Sequence, residues 1–168
     1  MTAVQEHKVF APKSVACFVL TVSDTRNEAN DTGGQAIREA LEAGGHTITG
    51  HTIVRDDPEA VSGAVQQQLA GNTAQVIITT GGTGITSRDG TFEAIDRLFE
   101  KRLTGFGELF RMLSYEQIGA AAMMSRATAG TAKGKAIFVL PGSPDAVRLA
   151  MTKLIVPELG HVVQQLTR

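Results

Sequence analysis

Residues 76–89 read VIITTGGTGITSRD, and this stretch narrows the fold more than any other. Val76, Ile77, Ile78 and Thr79 have the length and β-branched composition of a buried strand. Thr80, Gly81, Gly82, Thr83 and Gly84 break that strand, and a helical pattern resumes from Thr91. Three glycines in four positions permit positive φ and let a ligand approach bare backbone amides, while the threonines add hydroxyl donors. A strand, a glycine-rich turn and a helix start together make a place for an anion. The turn lacks the Gly-Lys-Ser/Thr ending of a P-loop and the full G-x-G-x-x-G spacing of a dinucleotide fingerprint, so neither machine is implied.

The flanking chain fits the same plan. Residues 14–22, SVACFVLTV, form a nearly continuous apolar run, as a strand covered on both faces requires. Asp31 or Thr32 caps the next helix, and Gly44 and Gly45 end it. A second strand is expected over 47–54 and a helix from the pair Asp57-Pro58 to about Ala70. Strand, helix, strand, helix, strand within eighty residues implies a parallel sheet with right-handed crossovers. Beyond the turn, helices are expected over 91–99 and 108–117, with Gly105 and Gly107 as an interruption between them. Two short strands follow over 126–131 and 135–140. Ser143 caps a helix from Pro144, and Pro157 restarts a last one. The expected class is therefore α/β with a mostly parallel central sheet. Residues 1–13 read as a polar arm without a period, and 14–168 as a single domain.

In such a sheet, ligands bind beyond the carboxyl ends of the strands. Ser23 and Asp24 follow the first strand, Asp56 and Asp57 the second, Thr80 to Gly84 with Arg88 and Asp89 the third, and Pro141, Gly142 and Ser143 the last. Carboxylates beside a phosphate-type turn repel the phosphate unless a cation such as Mg²⁺ bridges them. Each acid also has a plainer reading. Asp57 and Asp89 each precede a helix and can cap it, and Asp24 can bond its own loop. Arg88 is either a phosphate clamp or a solvated charge. The single cysteine, Cys17, lies in the first strand, so neither an intrachain disulfide nor a Cys/His metal cluster can form. His7, His46, His51 and His161 have no metal or triad spacing and read as surface or packing residues. A net charge of −1 without a basic run argues against nucleic acid. No apolar stretch reaches the ~18 residues of a membrane span, and no signal-type segment opens the chain, so a cytoplasmic protein is expected. The arm, Phe106, Phe110 and residues 120–124 offer more apolar surface than a monomer should expose, which predicts a homo-oligomer.

TTGGTGITSRD at 79–89, SDTR at 23–26, VRDDPEAV at 54–61, GFGELFRMLSYEQIG at 105–119, MSRATAG at 124–130 and LPGSP at 140–144 resemble the MoaB/MogA family of molybdenum cofactor biosynthesis proteins, closer to its B branch. The resemblance covers about residues 13–159. It implies a three-layer α/β/α fold and Mg²⁺- and ATP-dependent adenylylation of molybdopterin, with pyrophosphate released. By that resemblance the two critical acids fall on Asp56, or Asp57 if the loop carries a gap, and on Asp89. The glycine turn falls on 81–84, and the pterin-phosphate side on Ser125, Arg126 and Pro141, Gly142 and Ser143. Trimers or hexamers, and contacts with other molybdenum cofactor enzymes, are implied as well. A non-catalytic molybdopterin carrier is the second reading. A nucleotide hydrolase is the third, but it would want an acid where Gly90 stands.

Overall fold

In the computed structural model the described residues are 2–168, without the side chain of His7, so the packing reading of that histidine lies outside them. Among them the sheet has six strands in the order β2-β1-β3-β6-β5-β4. These are β1 (Ala16–Val22), β2 (Thr47–Val54), β3 (Val76–Thr80), β4 (Lys101–Arg102), β5 (Thr128–Ala132) and β6 (Lys135–Leu140). β2, β1, β3 and β6 run parallel, and the β6–β5–β4 edge is antiparallel. The chain steps outward from β1 to β2 and then crosses to the other side of β1 for β3, which creates a switch point between β1 and β3.

Alternation along each strand splits the core into two. Val19, Val76, Ile78 and Phe138 face one way, under α2 (Thr32–Ala43), α5 (Thr104–Ile118), α6 (Pro144–Ala150) and α7 (Val156–Leu166). Leu20, Ile77, Ile137 and Val139 face the other way, under α3 (Pro58–Ala70) and α4 (Thr91–Asp96). The result is the expected three-layer α/β/α arrangement with a mostly parallel sheet. Cys17 is fully buried in the first cluster, and burial pushes its thiol up to about 12, so it is unreactive. No helix among the described residues is long and apolar enough to cross a membrane.

Asp31, Asp57 and Ser143 each cap a helix through a side-chain oxygen, accepting from the Gly34, Ala60 and Ala146 amides. Several sequence expectations are corrected. The arm contains a helix, α1 (Ala3–Val9), closed by a reciprocal capping box between Thr2 and Gln5 and tied to α7 by the Lys8–Glu158 ion pair. Gly105 and Gly107 do not interrupt α5. A Cβ on buried Gly107 would lie 2.8 Å from the Ala127 carbonyl oxygen, so this glycine serves close helix packing. α4 ends at Asp96, and β4, too short to show a period, pairs with β5. β5 begins at Thr128, leaving Arg126 outside the strand. Pro157 stands in the first turn of the last helix, α7, as expected, but no break precedes it. A π-helical turn, Met151–Ile155, joins α6 to α7, with the Val156 amide donating to the Met151 carbonyl.

The apolar surface also differs from expectation. Phe110 is buried, and Phe106 packs edge-on against Phe138 at 5.2 Å. The exposed apolar side chains of this region are instead Leu109, Met112, Tyr115, Ile118, Met123 and Met124, with Val4, Val9 and Phe10 on the arm.

Candidate functional site

The carboxyl ends of β1, β3 and β6 open on a cavity of about 210 Å³ lined by Thr21, Ser23, Arg26, Asp31, Gly33, Thr80, Gly81, Gly82 and Gly142. Beside it lies a larger cavity of about 440 Å³. Its polar edge is Thr83, Gly84, Asp89, Ser114, Ser125 and Ser143, and its apolar wall includes Phe110, Ile118 and Met124. Gly82 and Gly142 line both. A third depression, of about 290 Å³, is lined by Asp24, Arg55, Asp56, Asp57, Ala60 and Arg88.

The turn between β3 and α4 has the backbone that its glycines predict. Gly81 and Gly82 take φ of +97° and +68°. A Cβ on Gly81 would stand 2.2 Å from the Val22 carbonyl oxygen, and one on Gly82 would stand 2.0 Å from Thr91 Oγ1. The Gly81 amide donates to the Leu140 carbonyl and the Thr80 hydroxyl to the Pro141 carbonyl, so both donors join β3 to β6 and are not offered to a ligand. Ser23 accepts from the Thr25 and Arg26 amides and shapes the loop after β1.

Three acids converge at the lip of this turn. Asp24 does not bond its own loop. Its carboxylate accepts from the Asp56 amide and pairs with Arg88 across sixty-four residues of sequence. Asp89 caps no helix, since Gly90 holds the N-cap position of α4 without a side-chain bond. One Asp89 oxygen instead accepts from the Thr86 hydroxyl at 2.6 Å and the Thr86 amide at 3.0 Å. The Thr86 hydroxyl is the main cause that holds the Asp89 carboxyl below the usual range, against the opposing effect of burial. Asp56 is the opposite case. Its Oδ1 is buried with no hydrogen-bond partner. Burial first, then the charges of Asp89 and Asp24, raise its carboxyl above the usual range, although the Gly90 amide and Arg88 pull the other way. Asp57 spends its own oxygen on capping α3. The two neighbouring carboxyls are thus pushed in opposite directions, Asp56 up and Asp89 down.

Residues 18–161 match the family described as "Probable molybdopterin binding domain". The chain is 52% identical to molybdenum cofactor biosynthesis protein B of Bacillus anthracis and 50% identical to that of Bacillus subtilis, over 99% of its length and 99% and 98% of theirs. A crystal structure of molybdenum cofactor biosynthesis protein B superposes with a TM-score of 0.91 at 52% identity, covering 94% of this chain and 99% of that one. The tungsten cofactor synthesizing protein MoaB from Pyrococcus furiosus gives 0.80 at 38%, over 94% and 100%. The chain belongs to the MoaB family of molybdenum cofactor biosynthesis proteins.

Within this MoaB-family chain, the residues singled out by sequence fall into four groups, the first of which, Ser23, Thr80 and Gly81, lines the smaller cavity. Ser125, Pro141, Gly142, Ser143, Gly82, Thr83, Gly84 and Asp89 are brought together around the larger cavity. Asp24, Asp56 and Arg88 gather at the third depression. Arg126 is not on the cavity side. Its guanidinium lies 5.2 Å over the Phe92 ring, donates to the Thr83 and Gly84 carbonyls and pairs with Glu93, so it grips the glycine turn from behind. Among the described residues, no group of three or more His, Cys, Asp or Glu is spaced to hold a metal unaided. Mg²⁺ does not need such a group, since it takes one or two carboxylates and fills its octahedron with water and substrate phosphate. The unpartnered Asp56 oxygen beside Asp24 and Asp89 is a fitting first ligand.

Sequence reasoning missed the floor of the smaller cavity. Buried Asp31, besides capping α2, accepts from the Thr21 hydroxyl at 2.6 Å and lies 2.9 Å from His51 Nε2. Asp31 carried a capping signal, but nothing in the spacing links it to His51 on an edge strand. Gly34 makes the cluster possible, because a Cβ there would fall 2.2 Å from Asp31 Oδ2.

Proposed function

We propose that this chain adenylylates molybdopterin with Mg²⁺ and ATP. A terminal phosphate oxygen of molybdopterin attacks the α-phosphorus of ATP, the bond to the bridging oxygen breaks, and pyrophosphate leaves with that oxygen. The observation that carries this reading is the buried, unpartnered Asp56 oxygen facing Asp89 and Asp24 at the lip of a glycine turn. In-line displacement at phosphorus needs positioning and charge neutralisation more than a covalent catalyst. The larger cavity, apolar on one side and polar at its rim, suits a flat heterocycle with a phosphate tail. The smaller one suits nucleotide phosphates. Asp56 and Asp89 would hold Mg²⁺, which when bound neutralises the phosphate charge. Arg126 keeps the turn in one conformation before any ligand arrives. Purified protein, molybdopterin and Mg-ATP should yield adenylyl-molybdopterin and equimolar pyrophosphate. Pterin binding without product would instead establish the carrier reading.

Arg88→Ala should weaken ATP binding about tenfold, because Asp24 would then face the phosphates unpaired. The pair is exposed, so the melting temperature should hardly move. Calorimetric titration and thermal unfolding of the same variant check both halves, and an intact affinity with a large stability loss would refute the clamp.

We also propose a homotrimer or homohexamer, because the outer side of α5 and the following 3₁₀ turn (Gly119–Met124) expose six large apolar side chains in one region. Light scattering at micromolar concentration should return a multiple of 17.8 kDa, and a monomer would refute the proposal.

A further inference from the structure

A separate cavity of about 370 Å³ lies behind the glycine turn, and of the residues lining it Ser125 alone also lines the 440 Å³ cavity. Three guanidinium groups from three segments reach it: Arg102 of β4, Arg111 of α5 and Arg126 ahead of β5. Two have carboxylate partners, and one of those partners, Asp96, lines the cavity as well. Arg102 forms a two-pronged pair with Asp96 at 2.7 and 2.8 Å, and Arg126 pairs with Glu93. Arg111 differs. Its Nη1 donates to the Ala127 carbonyl at 3.0 Å and the Ser125 carbonyl at 3.4 Å, which fixes the guanidinium in place. Among the described residues, no carboxylate lies within ion-pair distance of it. The Thr104 and Thr128 hydroxyls line the same cavity and have no hydrogen-bond partner among the described residues.

A half-buried, fixed cation without a counter-ion is costly, and it favours whatever anion can reach it. Guanidinium and hydroxyl groups together match a tetrahedral oxyanion, which accepts several bonds from different directions. The cavity lies toward the small end of the range for ligand sites, which suits a small phosphate-bearing molecule.

We propose that this cavity is an anion site for a small phosphate-bearing molecule, anchored by Arg111 and completed by the Thr104 and Thr128 hydroxyls, with Arg102 at its rim. Its position gives it a consequence, since the third guanidinium, Arg126, is the one that grips the Thr83 and Gly84 carbonyls. An anion seated there lies on the Arg126 side of the glycine turn and, apart from the shared Ser125, outside the proposed reaction cavity, so the inference stands whether or not the chain adenylylates anything.

The test uses the full chain in chloride buffer, with no nucleotide and no Mg²⁺. It is titrated separately with inorganic phosphate, pyrophosphate and glycerol phosphate by calorimetry, and the arginine Nε–H signals are followed by NMR. We expect saturable binding of at least one of the three, with the Arg111 and Arg102 signals moving. Tighter binding of phosphate or pyrophosphate would mark a free inorganic anion as the occupant, and tighter binding of glycerol phosphate a phosphomonoester; either supports the site. Arg111→Gln should weaken binding about tenfold or more, the loss of one charge-assisted contact. Because Arg111 also holds two carbonyls, Thr128→Val is the second variant. It removes a hydroxyl with no partner in the protein, so it should weaken binding severalfold with the melting temperature unchanged. The site is overturned if none of the three anions binds saturably, if the moving signals are those of Arg26 and Arg88, or if Thr128→Val binds as the parent does.

Discussion

Asp56→Asn is expected to lower adenylyl transfer about a hundredfold or more while making the free protein more resistant to heat at neutral pH. The two effects have one cause. The Asp56 carboxyl is raised above its ordinary range by burial and by the charges of Asp89 and Asp24. A group whose folded pKa is raised adds stability only while protonated, below its unfolded pKa, and that contribution is lost as pH rises through the folded value. At neutral pH the charged Asp56 therefore opposes folding. Asparagine keeps the size, removes the charge, and should raise the melting temperature. The advantage should fade in acid, where the parent carboxyl is protonated. Mg²⁺ should stabilise the parent and leave the variant unmoved. Asp89→Asn is the contrast. The Asp89 carboxyl is held low, chiefly by the Thr86 hydroxyl, so its charge adds stability above the unfolded pKa that is lost as pH falls through the folded one. That variant should lose transfer and stability together. If the two acids hold one ion, the double variant should transfer little worse than the worse single one. Full transfer in Asp56→Asn would sink the metal reading, and a lowered melting temperature at neutral pH would sink the electrostatic one.

The largest stability effect is expected at Gly81. Gly81→Ala should cost about 3 kcal/mol or more, from a strained backbone and a forced contact together. Its φ of +97° lies where side chains are rarely tolerated, and the new methyl would stand 2.2 Å from a carbonyl oxygen of β1, which cannot rotate away. Relief requires moving the end of β1 or breaking the Gly81–Leu140 hydrogen bond that joins β3 to β6. Gly142→Ala is the control. Its Cβ would meet Gly81 Cα at 3.5 Å, an ordinary contact, and should cost under about 1 kcal/mol. Denaturant unfolding of the two variants measures the difference, and equal midpoints would show that the turn is not strained in this way.

The parallel half of the sheet was readable because each strand is a compact apolar run and each crossover helix carries its own cap, as at Asp31 and Asp57. The antiparallel edge was half-readable. A two-residue strand such as β4 has no period to detect, and its existence depends on β5 lying beside it. The α1 start was written in the chain as Thr2 and Gln5 at capping-box spacing, a signal overlooked because no apolar run followed it. At the site, the rim residues followed from topology alone, but the bonding of each did not. Asp24 and Arg88 meet across sixty-four residues, and Arg126 reaches the turn from forty-two and forty-three residues away. Which side of the turn it grips depends on the rotamer that stacking on Phe92 selects. Local spacing holds no record of such choices.

The two cavities at the ends of β1, β3 and β6 meet at Gly82 and Gly142, and no side chain stands at that junction on either residue. The threshold between them is thus built without a door. Neither shared residue has a rotamer that could swing across the junction. The width of the opening belongs to the main chain, held by the Gly81–Leu140 and Thr80–Pro141 bonds. If both chambers are filled as proposed, the spacing of their occupants follows from a main chain held by hydrogen bonds and not from a choice of rotamer at the two shared residues.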